Sequence, residues 1–277
     1  MRVIANSLRS IPSLRLVQRA VARPLFKVPG IRQLSSTLPR RIEDAPGPYQ
    51  FQERLRLGSR APNFTAETTH GRIDFHEFIG DSWVVLFSHP ADFTPVCTTE
   101  LGAFAKLAPE FAKRNVKLIG LSTNGLASHD QWTRDIDEVT GSSFHGSRPT
   151  ESFPIIADEK CEVAWLYDMV TAQNSMNIGQ KGIAFTVRTV FVIDPKKTIR
   201  LTMNYPASTG RNSAEVLRVV DSLQMGDKNG VVTPIDWQVG QDVIVPPTVT
   251  TEDAKVKFGD ENVRVVKPYL RFTTLGK

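Results

Sequence analysis

The sequence predicts an α/β fold whose central sheet is mainly parallel and has an antiparallel edge. From near Leu57 onward, short apolar runs of strand length alternate with segments of helical periodicity, the pattern of strands joined by crossover helices. Two later apolar runs, 188–194 and 199–205, flank the turn DPKKT and predict a β-hairpin. An amphipathic segment over 213–225 then predicts a last helix. Parallel strands followed by a hairpin place the antiparallel pair at one side of the sheet.

The earlier elements are predicted from the same periodicities. Compact apolar runs predict buried strands at 83–88, 116–122 and 153–158. Helices are predicted at 97–113, 128–140 and 161–169. In the first helix, Leu101, Phe104, Leu107 and Phe111 recur at helical spacing, and the second opens on the capping residue Ser128. This order of elements matches a thioredoxin-like core with additions.

The N-terminal segment has its own composition. Residues 1–41 hold nine basic residues and no acidic one, whereas the rest of the chain has 25 basic and 29 acidic residues. The net charge of +5 and the isoelectric point near 9.3 therefore belong to this segment. An arginine-rich, serine-containing, acid-free segment with aliphatic residues at helical spacing is typical of a mitochondrial transit peptide. We interpret residues 1–40 as a transit peptide processed near Leu34 and Ser35, with a disordered basic tail as the alternative.

The remainder of the chain divides by composition into three parts. Residues 41–56 are polar, contain proline and glycine, and predict a linker or N-terminal arm. Residues 57–225 form the predicted α/β domain. Residues 226–277 contain four prolines and little helical period, and predict a C-terminal extension that lies on the core or on a partner subunit. The chain after residue 41 has more acidic than basic residues, so nucleic-acid binding is not predicted. No apolar run approaches the roughly 18 residues needed to span a membrane, so stable membrane insertion is not predicted either.

The candidate chemistry lies in SHPADFTPVCTTE (88–100), between a predicted buried strand and a predicted helix. Sites in open α/β sheets form beyond the carboxyl ends of strands. Pro95 suits the start of the helix, where its missing N–H is harmless. Cys97 then lies among backbone N–H groups that have no partner inside the helix, and their partial positive charge favours a thiolate. Thr94, one turn earlier, can place a hydroxyl beside the sulfur.

Position alone leaves Cys97 open between a nucleophile and a small buried hydrophobic residue, the commoner fate of a free cysteine. The second cysteine, Cys161, forms no CxxC pair or zinc spacing with it, so neither a disulfide framework nor a structural metal is predicted. The histidines fall in no ligand spacing with acidic or thiol residues. The sequence contains no P-loop or GxGxxG motif. No cofactor is therefore expected.

The segment SHPADFTPVCTTEL resembles the active-site motif of the peroxiredoxins, Pro-x-x-x-Thr-x-x-Cys, which here is Pro90, Thr94 and Cys97. The similarity continues through VKLIGLS, FPII, TVRTVFVIDP and YPASTGRN to PTVTTEDAKVKFG and KPYLRF, and covers nearly everything from Leu57 onward. It is greatest to the 1-Cys peroxiredoxins, in particular their fungal mitochondrial members. Several ordered motifs along one chain are far more specific than any single pattern.

The resemblance implies a thiol-dependent peroxidase that reduces hydrogen peroxide and organic hydroperoxides in antioxidant defence. Cys97 would be the peroxidatic cysteine, which attacks the O–O bond and becomes a sulfenic acid. Arg188 would hold the thiolate and polarise the peroxide, because a permanent cation favours the thiolate and the charge developing on the leaving oxygen. Thr94 would hydrogen-bond to thiolate and peroxide, and Pro90 would shield the sulfur.

Three further residues are implied by the same resemblance. His89 would be a pocket residue, while Glu100 and Arg211 would be the supporting pair behind Arg188. Without the resemblance, Arg188 would be interpreted as an exposed strand residue and Arg211 as a surface charge near a helix start.

Cys161 does not match a resolving position, because resolving cysteines of two-cysteine relatives lie in the C-terminal arm and residues 162–277 contain no cysteine. We interpret Cys161 as a structural or incidental thiol. The resemblance then implies a 1-Cys cycle in which an external thiol recovers Cys97. Glutathione with glutaredoxin, or thioredoxin, is the implied reductant, and a homodimer formed by arm exchange is the implied assembly.

Two other functions are alternatives to the peroxidase. Some 1-Cys relatives carry a phospholipase activity on a His, a Ser in GxSxG and an Asp. This chain keeps His76 and Ser82, but Val84 stands where the motif has its last glycine. Lys196 stands at the position of the aspartate, although Asp194 lies two residues earlier. Phospholipase activity is therefore not expected. The second alternative is a redox-signalling relay or chaperone that uses Cys97 itself. Turnover of peroxide with a small thiol distinguishes the peroxidase from a relay.

Overall fold

The computed structural model describes residues 54–144, 152–170 and 185–275. The predicted transit peptide (1–40) and most of the predicted linker (41–56) lie outside the described residues. Within these ranges, no helix combines the length and the apolar character needed to cross a bilayer.

A seven-stranded mixed sheet forms the centre of the main domain, in the order β2-β1-β5-β4-β3-β6-β7. Its strands are β1 (Thr65–Thr68), β2 (Gly71–Asp74), β3 (Trp83–Ser88), β4 (Val116–Ser122), β5 (Ile155–Ala157), β6 (Arg188–Ile193) and β7 (Ile199–Tyr205). The pairs β3–β4 and β4–β5 are parallel, and β6 pairs antiparallel with both β3 and β7. On the other side, β1 pairs antiparallel with β5 and β2. The predicted parallel centre and antiparallel hairpin are confirmed.

Helices cover both faces of this sheet. They are α1 (Phe75–Ile79), α2 (Pro95–Lys113), α3 (Leu126–Thr140), α4 (Glu162–Leu166) and α5 (Ser213–Asn229). Side chains of β3 alternate between the faces: Val85 and Phe87 pack with α2, α3 and α5, whereas Val84 and Leu86 pack with α1 and α4. Because both faces are covered, every residue of β3 and β6 is buried.

The C-terminal extension has regular structure of its own. It contains β8 (Val243–Ile244), helix α6 (Thr251–Phe258), a 3₁₀ turn over Asp260–Asn262, β9 (Val263–Lys267) and β10 (Leu270–Thr273). The three strands form a small antiparallel sheet in the order β8-β10-β9. These elements are too short for a periodic pattern to reveal them in the sequence.

Several predicted boundaries were wrong by a few residues. Helix α2 begins at Pro95, two residues before the predicted start, because proline suits the first helical position. Helix α3 begins at Leu126 after Gly125, so Ser128 lies inside the helix and caps nothing; its hydroxyl donates to Asp92 instead. Helix α5 continues to Asn229, where Gly230 ends it in the left-handed region (φ 64°).

Asp158 anchors the short helix α4 after β5. Its carboxylate accepts from the backbone N–H groups of Val163 (3.1 Å) and Ala164 (2.6 Å). Burial raises the pKa of Asp158 to about 6 in spite of these hydrogen bonds. The residue that opens α4, Cys161, has a left-handed backbone (φ 58°).

We predict a pH-dependent contribution of Asp158 to stability. Its pKa is higher in the folded protein than the ordinary value of 3.8, so the contribution is fully present below about pH 4 and is lost as pH rises through about 6. The variant Asp158→Asn cannot ionise at this position, so its unfolding free energy does not show this loss. The difference in unfolding free energy between the variant and wild type should therefore increase by roughly 3 kcal/mol, in favour of the variant, as pH rises from about 4 to about 7.5. Denaturant unfolding at several pH values measures this, with the exposed Asp81→Asn as control. Parallel pH curves for wild type and Asp158→Asn would contradict it.

Candidate active site

Cys97 lies in the first turn of α2, just beyond the carboxyl end of β3. Pro95 occupies the first position of the helix, and Thr94 precedes it as the N-cap residue with extended backbone. The Cys97 side chain is fully buried and packs in the core cluster between the sheet and α2. The sequence-predicted combination of strand end, helix start and cysteine is confirmed in position. A buried sulfur in this place is within reach of the free backbone N–H groups of the first turn.

Arg188 contacts the sulfur from the first residue of β6. Its Nη1 lies 3.2 Å from Cys97 Sγ and 2.7 Å from Glu100 Oε2. Its Nε and Nη2 both donate to the carbonyl oxygen of Ala207, at 3.1 and 2.8 Å. Only 2% of Arg188 is exposed, so it is not the exposed strand residue that its position alone would suggest. Four hydrogen bonds fix the guanidinium plane with one edge at the sulfur.

Glu100 links Arg188 to a second buried arginine. Arg211 donates to the Glu100 carboxylate from its backbone N, its Nε and its Nη2, at 2.7, 2.9 and 2.8 Å. The Nη1 of Arg211 donates to the carbonyl oxygens of Ser88 (2.8 Å) and Thr189 (3.3 Å). Burial lowers the pKa of Arg211, and the charge of Glu100 opposes that shift. This one side chain therefore ties the ends of β3 and β6 to helix α2.

Pro90 and Thr94 lie in the loop that leads into α2. Pro90 is buried, as is the neighbouring His89. The Thr94 hydroxyl donates to the carbonyl oxygen of Ala91 at 2.9 Å. Its proton is therefore used within the loop, and the expected hydrogen bond of Thr94 to sulfur and peroxide stays a prediction.

A cluster of three buried ionisable residues lies beside this loop, and two of its members were missed in the sequence. Asp92 accepts from His89 Nε2 (2.9 Å) and from His129 Nδ1 (2.7 Å). Burial alone would raise the pKa of Asp92, but the hydrogen bonds from His129 and His89 outweigh it and hold that pKa well below its usual range. Burial lowers the pKa of His89. The sequence signal was the H-x-x-D spacing of His89 and Asp92; His129 is far away in the chain, so only the fold shows it.

Among the described residues, this cluster is also the one group of three His, Cys, Asp or Glu side chains whose ligand atoms lie within 4.8 Å of one another. Both nitrogen-to-oxygen distances in it are those of hydrogen bonds. Asp92 is therefore hydrogen-bonded to both histidines, whereas His89 Nδ1 is buried without a hydrogen-bond partner among the described residues.

Cys161 has a different environment from Cys97. Both thiols are free and buried. Burial, together with the charge of Asp158, raises the pKa of Cys161 to about 11, so its nucleophilic thiolate is scarce at neutral pH. No cation contacts its sulfur among the described residues, whereas Arg188 contacts that of Cys97. This environment supports the interpretation of Cys161 as a structural thiol.

The residues that correspond to a lipid-hydrolysing triad, His76, Ser82 and Asp194, do not contact one another as a catalytic triad. Ser82 Oγ donates to Asn115 Oδ1 at 2.8 Å, and His76 Nε2 lies 2.8 Å from the carbonyl oxygen of Ala61. Asp194 pairs with Arg200. Ser82 directly precedes β3, at the opposite end of that strand from Cys97. A nucleophile needs its base within hydrogen-bond reach, and these side chains have other partners.

We predict that Glu100 is the main electrostatic support of the site. Glu100→Gln leaves Arg188 and Arg211 buried without their shared counter-charge, which should cost roughly 3–5 kcal/mol of unfolding free energy. The matched control is Glu110→Gln on the same helix, since Glu110 is partly exposed and pairs with Lys113 and Arg114. That change should cost far less unfolding free energy than Glu100→Gln, because solvent screens the exposed pairs of Glu110. Denaturant unfolding compares the two, and equal losses would contradict the assignment.

Comparisons with known proteins agree with this geometry. A model described as the AhpC/TSA family matches residues 57–202, and one described as the C-terminal domain of 1-Cys peroxiredoxin matches residues 222–261. The chain is 60% identical over 222 residues to Peroxiredoxin PRX1, mitochondrial, of Saccharomyces cerevisiae, covering 80% of this chain and 82% of that protein. It is 50% identical over 225 residues to Peroxiredoxin-6 of Homo sapiens, and the match covers 79% of this chain and 97% of the human protein.

A solved structure is also similar. It is that of the yeast mitochondrial 1-Cys peroxiredoxin, described with a thiol resolving mechanism via glutathione/thioredoxin systems. The two sequences are 56% identical and the TM-score is 0.70. The match covers 79% of this chain and 99% of the chain in the yeast structure. The predicted thioredoxin-like fold of peroxiredoxin type is thereby confirmed. The chain belongs to the AhpC/TSA family and, within it, to the 1-Cys peroxiredoxins, which are thiol-dependent peroxidases.

Proposed function

We propose that this peroxidase reduces hydrogen peroxide and organic hydroperoxides in mitochondria, through Cys97 and with an external thiol as reductant. The observation that carries the proposal is the contact of Arg188 Nη1 with Cys97 Sγ at 3.2 Å inside a buried site. A fixed cation beside a sulfur at a helix start is the arrangement that makes a cysteine nucleophilic.

The reaction follows from these positions. The Cys97 thiolate attacks the terminal oxygen of ROOH, the O–O bond breaks, and an S–O bond forms. The sulfur is oxidised by two electrons to a sulfenic acid, and RO⁻ leaves and takes up a proton to give ROH. Arg188 stabilises the thiolate before the attack and the negative charge on the leaving oxygen during it. Pro90 and Thr94 shape the pocket through which the peroxide reaches the sulfur, and His89 is a further residue of that pocket. Glu100 and Arg211 support Arg188 from behind.

A 1-Cys cycle completes the turnover. One thiol R′SH condenses with the sulfenic acid to give a mixed disulfide and water, and a second R′SH releases Cys97 and the disulfide R′SSR′. The raised pKa of Cys161 and the lack of any cysteine in 162–277 support an external thiol. Glutathione with glutaredoxin, or thioredoxin, is the proposed source, by likeness to the yeast protein described with these systems.

Location and assembly belong to the same proposal. The acid-free basic segment 1–40 and the likeness to a mitochondrial relative support import into mitochondria, with processing near Leu34 and Ser35. We propose residues 41–56 as an arm, 57–225 as the peroxidase domain and 226–277 as a dimerisation extension. Exposed apolar side chains in that extension support a homodimer: Ile235, Val239, Val256 and Tyr269.

Exchange of each cysteine tests the 1-Cys cycle. Cys97→Ser should abolish peroxide consumption with glutathione and glutaredoxin or with thioredoxin, because the nucleophile is lost. Cys161→Ser should keep wild-type turnover and serves as the matched control. Intact mass after one equivalent of peroxide should show one added oxygen on the wild type. Normal turnover by Cys97→Ser would refute the assignment, and loss in Cys161→Ser would establish a two-cysteine mechanism.

Arg188→Lys tests the role of the guanidinium. A lysine keeps the charge but cannot contact Cys97, Glu100 and Ala207 together, so the second-order rate constant with hydrogen peroxide should fall roughly 100-fold. Arg200→Lys is the control, since Arg200 pairs with Asp194 and Asp227 away from the sulfur. Stopped-flow kinetics measures both, and a wild-type rate in Arg188→Lys would contradict the proposed role.

A further inference from the structure

Arg271, in the C-terminal extension, is a buried arginine that lacks a counter-charge. Only 3% of it is exposed. The two other buried arginines of the described chain both bond to Glu100. Arg271 instead donates to two uncharged acceptors, Thr251 Oγ1 at 3.3 Å and the carbonyl oxygen of Pro246 at 3.1 Å. Burial of an unpaired charge is costly, so a buried cation of this kind indicates a place for an anion.

The guanidinium of Arg271 has donors to spare. Arginine carries five N–H groups, and the two hydrogen bonds use two of them, so three have no acceptor among the described residues. One of the three is on Nε, which is buried without a partner. The bond to Thr251, at 3.3 Å, is also longer than the usual range of roughly 2.7–3.2 Å. The side chain is therefore held in place without being satisfied.

An irregularity in the small sheet positions this side chain. Leu270 lies opposite Lys267, but Arg271 lies opposite Val265, so the register of β10 against β9 shifts at this point. Such a bulge changes the direction of the side chain that follows it. The Arg271 carbonyl oxygen accepts from Val245 N at 2.9 Å, which fixes the backbone beyond β8. The guanidinium consequently lies against Thr251, the first residue of helix α6.

The start of α6 adds further donors. The N-cap residue Thr250 accepts from the backbone N–H of Asp253 with its hydroxyl oxygen and from that of Ala254 with its carbonyl oxygen. The N–H groups of Thr251 and Glu252 have no acceptor inside the helix. Thr251 Oγ1 accepts from Arg271, so that bond does not use the hydroxyl proton. A guanidinium, a hydroxyl and the positive end of a helix thus meet at one place, and all of them favour an anion.

These donors border a pocket. Thr251 and Arg271 line a space of about 440 Å³, whose other walls include Pro247, Val249, Pro268 and Tyr269. This volume is within the range of ligand pockets, roughly 300–1,000 Å³. No acidic side chain of the described residues lines it. The pocket therefore combines a cationic wall with apolar walls, and it has more room than a bare carboxylate or phosphate group needs.

We propose that this space, the Arg271 pocket, binds a small organic anion in which a carboxylate or phosphate group is attached to an apolar body. Arg271 pairs with the anionic group, and Thr251 and the first N–H groups of α6 donate to it. The prolines, Val249 and Tyr269 contact the apolar body. None of the lining residues belongs to the active site described above, so the inference is independent of the proposed function.

Isothermal titration calorimetry on the full chain tests the pocket with three probes. Phenyl phosphate and benzoate carry the two kinds of anionic group on the same ring, and benzyl alcohol is their neutral counterpart. Both anions should bind saturably, whereas benzyl alcohol should bind far more weakly. Arg271→Gln should reduce the affinity for both anions roughly 10- to 100-fold, because a hydrogen-bonded charge pair is lost.

Arg264→Gln is the matched control, because Arg264 lies on the neighbouring strand β9, is mostly exposed and pairs with Asp242. It should keep the wild-type affinity. Thr251→Val leaves the arginine in place and removes one hydroxyl, so it should weaken anion binding roughly 2- to 10-fold even if Arg271→Gln does not fold. Thermal unfolding shows whether each variant is folded. Phenyl phosphate should raise the melting temperature of the wild type and not that of Arg271→Gln.

Tighter binding of one anion than of the other supports the proposal and identifies the anionic group. The absence of saturable binding of both anions to the wild type would overturn it, as would wild-type affinity in folded Arg271→Gln or equally tight binding of benzyl alcohol. A carboxylate of a second copy of the chain is the remaining occupant. Size-exclusion chromatography would reveal it as a wild-type dimer that Arg271→Gln dissociates while neither anion binds, and this result would also overturn the proposal. Peroxide turnover through Cys97 tests the proposed function separately.

Discussion

The carboxylate of Glu100 receives hydrogen bonds from two buried guanidinium groups, and the rest of the site depends on that arrangement. Arg188 reaches the sulfur of Cys97 with the same Nη1 that bonds to Glu100. Arg211 holds the other side of the carboxylate and two strand carbonyl oxygens. Without this carboxylate, two cations would be buried together, and the cost of desolvating them would be offset only by backbone carbonyl groups and the Cys97 sulfur. The position of the Arg188 guanidinium at the sulfur therefore depends on a helix residue three positions after the cysteine.

The fold brings these charges together from distant parts of the chain. Helix α2 supplies Cys97 and Glu100, strand β6 supplies Arg188, and the segment before α5 supplies Arg211. The antiparallel pairing of β6 with β3 places the start of β6 beside the end of β3, where α2 begins. A second buried network, Asp92 with two histidines, lies across the same loop. The loop between β3 and α2 is thus held between two charged networks.

The sequence predicted the parts of this protein that depend on local pattern. Strands 83–88 and 116–122 were confirmed residue for residue, because a compact apolar run of this length is typical of a fully buried strand. The short strands β1 and β2 and helix α1 carry too few residues for a periodicity, and the structure of the C-terminal extension was missed for the same reason. The start of α3 was misplaced because Ser128 has the chemistry of a cap but uses its hydroxyl for Asp92.

The residues of the candidate site likewise divide into those that a local pattern predicts and those that it does not. Cys97 and Thr94 follow from the loop and helix start, but Arg188, Glu100 and Arg211 were assigned by family resemblance, since nothing local marks them as buried. His129 had no signal at all, because its partner Asp92 is 37 positions away. Ion pairs between distant segments are set by the tertiary fold, and a single sequence does not reveal them.

The rate at which Cys97 becomes a sulfenic acid in Glu100→Gln tests the central claim most directly. The measurement is rapid mixing with hydrogen peroxide under conditions in which wild type and variant are both folded, followed by trapping of the sulfenic acid. If Glu100 holds Arg188 at the sulfur, the variant should react roughly 10- to 100-fold more slowly than wild type. An equal rate in a folded variant would show that the position and charge of Arg188 do not depend on Glu100.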